Sequence, residues 1–149
     1  MLYGIEEGRL RSTKVRIKQG SSVEDMFFHI TPYLRKNPTN IILHIGTNNA
    51  CTDTSELIME KLVMLKEYII SKLPSCKLIF SSLITRHDNA NAQLVVVNTN
   101  KKLNHLNCQI IDNSNITNEH IGKKGLHMNG RGTSRLAMNF INVLKQLQS

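Results

Sequence analysis

Residues 41–49 read Ile41-Ile42-Leu43-His44-Ile45-Gly46-Thr47-Asn48-Asn49. A short, nearly all-apolar run closed by a glycine has the character of a parallel strand covered on both faces. What flanks this run decides the fold. Upstream, Gly20-Ser21-Ser22 is followed by Val23, Met26, Phe27, Ile30 and Leu34, a spacing that predicts an amphipathic helix over 22–35. Ser22 and Asp25 form a capping box with Asp in place of Glu, and Pro38 ends the unit. Downstream, Asp53 or Thr54 caps a second helix with the stripe Ile58, Leu62, Leu65, Ile69 and Leu73, and Pro74 stops it. Residues 77–81 form another buried strand. Residues 92–106 read as a helix in spite of the β-branched run Val95-Val96-Val97. Residues 109–112 are a last short strand, and 133–147 a closing helix with Leu136, Ala137, Phe140, Ile141 and Leu144 on one side. Before all of these, 13–18 alternates Val15 and Ile17 with Lys14, Arg16 and Lys18, an edge-strand pattern, and 2–10 is a weak helical segment. Strands alternating with helices predict βαβ units. The expected architecture is α/β, a flavodoxin-like three-layer α/β/α arrangement around a parallel sheet.

The 149 residues carry no repeat and no low-complexity linker, so 1–149 is read as one domain. Three cysteines, Cys51, Cys76 and Cys108, form no CxxC. An odd count argues against a disulfide framework and for a reducing, cytoplasmic setting. Cys51 lies close to the 46–49 turn, and the ordinary reading of such a cysteine is buried or incidental. Residues 1–10 contain Glu6, Glu7 and Arg9 but no apolar core of a secretory leader. No 18-residue apolar run is present, so no membrane span is expected. The formal charge of +8 would attract phosphates. Arg9, Arg11, Lys14, Arg16 and Lys18 form one basic group, and Lys123, Lys124, Arg131 and Arg135 another. Neither is interleaved with the aromatics used in single-strand binding, so weak nucleic-acid binding through a solvated basic surface is the most that composition suggests.

Sites in open parallel sheets form at the carboxyl ends of strands. Three features are predicted to fall there. Gly20 has a backbone N–H that no side chain shields. Asn48 brings a neutral double donor suited to a developing oxyanion. His127 is a side chain fit for general-base work near neutral pH.

Together these residues resemble the SGNH hydrolases. His44-Ile45-Gly46-Thr47-Asn48-Asn49 resembles that family's Gly-x-Asn-Asp block. Gly125-Leu126-His127-Met128-Asn129, followed by Gly132, resembles its last block, commonly Asp-x-x-His. Gly20 stands where the second block has its glycine. The resemblance spans essentially the whole chain and extends to the esterase-like domains of animal non-LTR retrotransposons, in which strings like Leu43-His44-Ile45-Gly46-Thr47-Asn48 recur. It implies that the Gly20 N–H and the Asn48 amide are oxyanion donors and that His127 is the base that activates a serine, for acyl-ester hydrolysis through an acyl-enzyme. It implies no metal and no organic cofactor, and an ester as the substrate.

Three departures qualify this. Asn49 stands for the usual aspartate. Lys124 occupies the triad-acid position three before His127, and a lysine cannot orient or stabilise an imidazolium. The Gly-Asp-Ser block is absent. In the family it ends the first strand, just ahead of a segment like Met1-Leu2-Tyr3-Gly4-Ile5, so the expectation is a domain incomplete at its N-terminus, lacking strand 1 of a 2-1-3-4-5 sheet. Ser12, Ser21, Ser22, Ser81 and Ser82 sit in no nucleophile turn, and Ser21 and Ser22 read as helix caps. The domain is therefore expected to be inactive as written and to fold poorly unless it borrows a strand. The alternative is a non-catalytic module that binds nucleic acid or protein.

Overall fold

The computed structural model describes residues 20–148; the strand read at 13–18 and the helical segment at 2–10 lie outside that range. Three parallel strands, β1 (Asn40–Leu43), β2 (Lys77–Ser81) and β3 (Gln109–Ile111), pair in the order β1-β2-β3. The register aligns Ile41 with Leu78 and Ser81 with Ile111. Four helices accompany them: α1 (Val23–Leu34), α2 (Ser55–Lys72), α3 (Ala90–Lys102) and α4 (Gly130–Gln148).

Alternation along the strands sorts the side chains onto two faces. Ile41, Leu43, Leu78 and Phe80 pack with α1, α2 and α3, where Ile58, Leu62, Leu65 and Ile69 are almost wholly buried. Ile79 and Ile111 pack on the other face with Leu136 and Phe140 of α4. Each such aliphatic side chain contributes about 1.5–3 kcal/mol of burial free energy. The result is the α/β/α sandwich that the sequence pattern predicts.

Local chemistry sets the helix ends. Ser22 caps α1 through a complete capping box with Asp25. Thr54, rather than Asp53, caps α2 by accepting the Leu57 N–H. The helix read at 92–106 begins at Ala90, capped by Asn89, and passes into a 3-10 turn over Leu103–Leu106. Its valines obey helical geometry: Val96 is buried and Val97 exposed. The last helix starts three residues before the predicted 133. Gly130 and Gly132 conceal that start, since glycine is a poor helix former, while Asn129 Oδ1 accepts the Gly132 N–H at 3.0 Å.

Candidate active site at the strand ends

The loops that follow β1, β2 and β3 gather at one end of the sheet. The first carries Gly46 at φ 119°, then the 3-10 turn Asn48–Cys51. Asn48 Nδ2 donates to the Ser21 carbonyl at 3.1 Å. One amide hydrogen is thereby used and the other has no partner among the described residues, and the Gly20 turn is held beside Asn48. Gly20 has φ 74°, so backbone conformation by itself favours glycine there. Ser21 is not a helix cap: it contributes its carbonyl to Asn48, and Ser22 alone caps α1.

Asn49 explains the first departure from the family pattern. Its Oδ1 accepts the buried Val23 N–H at 2.9 Å, and its Nδ2 donates to Glu24 at 3.0 Å and to Asp53 at 2.9 Å. Lys61 pairs with both carboxylates. An aspartate at 49 would place a third negative charge here and remove both donors. Burial pushes the Glu24 carboxyl up, but its bonds to Lys61, to the backbone and to Asn49 outweigh this and bring it down to about 2. Asn49 and then Lys61 likewise hold Asp53 below its usual range.

Past β2 the chain forms the loop 82–89, and Arg86 is almost fully buried in it. Its Nε and Nη2 grip the two Asp88 oxygens at 2.9 and 2.6 Å, and Nη1 donates to the Thr47 carbonyl at 2.9 Å. The fork geometry that matches guanidinium to carboxylate makes this a charge-assisted, bidentate pair. Asp88 raises the affinity of Arg86 for its proton in spite of burial, and Arg86 lowers the Asp88 carboxyl. Cys51, exposed rather than buried, lies beside the same guanidinium.

His127 lies on the loop before α4 and is exposed, as is Lys124. The loop closes on itself through Gly122 N–H to the His127 carbonyl at 2.7 Å and an antiparallel bridge between Ile121 and Met128. It docks on the loop after β2, where the His87 N–H donates to the Gly125 carbonyl at 2.6 Å. Gly125 has φ 76°, and a Cβ there would come 2.7 Å from the Asp88 nitrogen. Only glycine permits that approach.

On the α4 side of the same strand ends lies a partly buried polar chain that the sequence reading missed. His44, read as part of an apolar strand, follows the end of β1. Its Nδ1 lies 2.8 Å from Ser81 Oγ, and Asn113 Nδ2 donates to that hydroxyl at 2.7 Å. Ser81 Oγ thus accepts from Asn113 and pairs with His44 Nδ1, while His44 Nε2 has no partner among the described residues. Asn139 of α4 donates in turn to Asn113 Oδ1 at 3.0 Å. Burial pushes the His44 imidazole down to about 4, so it is neutral near pH 7. Nothing in local sequence marks these partners, which lie tens of residues apart.

A cavity of about 770 Å³ opens between α3 and the segment after β3, lined by Gln93, Val96, Asn100, Asp112, Thr117 and Glu119 among others. Gly20, Asn48 and His127 do not line it. Among the described residues, no group of three His, Cys, Asp or Glu side chains could hold a metal ion, and no helix is long and apolar enough to cross a membrane.

No protein-family model matches the sequence, and no curated protein matches it either. Solved structures do. A carbohydrate esterase family 3 protein from Talaromyces cellulolyticus superposes with a TM-score of 0.76 at 16% identity, covering 92% of this chain and 77% of that one. A GDSL-like lipase described for Parabacteroides merdae gives 0.71 at 16% identity, with 85% and 69% covered. A lipolytic G-D-S-L family protein from Veillonella parvula gives 0.67 at 25% identity, with 83% and 75% covered. The chain has the fold of the SGNH, or GDSL-like, lipases and esterases.

Proposed function

We propose that this chain is an acyl-ester hydrolase-type domain of the SGNH kind, related to those of animal non-LTR retrotransposons, and that its 149 residues lack hydrolytic activity by themselves. The observation that carries the reading is the Asn48–Ser21 hydrogen bond. It sets the Gly20 turn beside the Asn48 amide at the strand ends, the pairing that two oxyanion donors require. His127 is the base of this reading, on a loop docked against the same set of strand-end loops. An oxyanion site and a base still need a nucleophile. No Gly-Asp-Ser occurs in the sequence, and Ser81 and Ser82 are buried. Hydrolysis of p-nitrophenyl acetate by residues 1–149 is therefore expected at the buffer rate. Turnover that His127→Ala abolishes would overturn this, because it would require a nucleophile within the chain.

A second reading, a nucleic-acid-binding module, is favoured by one observation: Lys123, Lys124, Arg131 and Arg135 are all exposed around the His127 loop and the start of α4. It predicts RNA binding that weakens steeply with salt. Undetectable binding at low ionic strength would remove it.

A further inference from the structure

We infer that Asp88, from the loop after β2, supplies the negative charge that acts on the loop of His127, and that buried Arg86 is the positioning residue that holds this carboxylate in place while tying down the loop of Asn48. The inference rests on the reading of His127 as a base and supplies what Lys124 cannot, a negative charge to steady an imidazolium.

Three observations support it. The first is contact between loops. The Gly125 carbonyl accepts the His87 N–H at 2.6 Å, and the Gly125 Cα lies so close to the Asp88 nitrogen that a Cβ would clash. The His127 loop is thus seated on the backbone of Asp88 two residues before the imidazole. The second is that the carboxylate is held in one place. Both its oxygens are held by one guanidinium that is itself 3% exposed, and a forked pair leaves a carboxylate little rotational freedom. The third is that the remaining Arg86 nitrogen holds the Thr47 carbonyl, the residue before Asn48. One buried cation therefore joins the loop of the oxyanion donor, the acid and, through Asp88 and Gly125, the loop of the base. Breaking such a pair leaves an uncompensated buried charge, which keeps the arginine and the carboxylate together. Consistent with the placement, a charged His127 lowers the Asp88 carboxyl, a smaller influence than that of Arg86.

The test reads Asp88 itself, by ¹³C-detected titration of its side-chain carboxyl in the full 149-residue chain. His127→Gln changes an exposed residue and should leave the fold intact. Removing the imidazolium should move the Asp88 midpoint up by about 0.3 to 1 pH unit, and Lys124→Gln should move it less. Arg86→Gln should move it further than His127→Gln and should displace the Asn48 side-chain amide resonances. Arg86→Lys should not restore them, since an ammonium cannot fork. An Asp88 midpoint unmoved by His127→Gln, or moved more by Lys124→Gln, would overturn the inference. Because no turnover is measured, a failure here is separate from a failure of the hydrolase reading, which the ester assay decides.

Discussion

His44 allows a prediction with a definite slope. Its side chain is half-buried, lies edge-on to Phe140 and is bonded to Ser81, and the desolvation of the ring brings it from its ordinary 6.5 down to about 4. The unfolded chain therefore takes up a proton as the pH falls through 6.5, while the folded chain refuses it until about pH 4. Over that window the folded state loses stability at roughly 1.4 kcal/mol per pH unit, about 3 kcal/mol in all. The stabilisation is fully present above pH 6.5 and lost on acidification. Urea unfolding of the wild type and of His44→Gln at pH 6.5, 5.5 and 4.5 isolates this proton. Glu24, Asp53 and Asp88 also weaken the fold as they are protonated, but equally in both proteins. The wild-type curve should fall more steeply than that of the variant by the contribution of one proton. Whatever the glutamine costs in packing shifts the variant's curve without changing its slope. Parallel curves between pH 6.5 and 4.5 would refute the burial of a neutral imidazole at this position.

Two further substitutions probe the loops. Asn49→Asp removes the donors to Glu24 and Asp53 and adds a third carboxylate, so it should cost about 2 kcal/mol or more at pH 7. The loss should shrink toward pH 4, where the new carboxyl is protonated; a denaturation series with a pH-independent loss would contradict the assignment. Gly125→Ala forces a Cβ onto the Asp88 backbone at a positive φ and should cost at least ~1 kcal/mol. It should also speed hydrogen exchange of the His87 amide, and unchanged exchange would show that the two loops are not docked as described.

Much of the framework was legible in the sequence because it is governed by short-range periodicity. The stripe Ile58, Leu62, Leu65 and Ile69 recurs at helical spacing, and those four side chains are the buried face of α2. The Ser22–Asp25 capping box involves residues three apart and forms as written. The apolar run at 41–45 marks β1 because a strand covered on both faces has no polar alternation to display.

Partnerships across the sheet were decided only by tertiary structure. His44 reads as one polar residue in an apolar run, and its burial depends on Ser81 and Asn113, 37 and 69 residues further on. Lys124 draws attention by its position three before His127, yet the acid beside that loop is Asp88, whose orientation depends on Arg86 and the Thr47 carbonyl. Cys51 reads as incidental and proves to lie against the same arginine. Hydrophobic periodicity records which face of an element is buried, whereas a polar contact depends on which loops meet after the layers have packed. The sequence alone determined the layers and the strand ends; the packing of the loops around the Arg86–Asp88 pair decided which charges meet there.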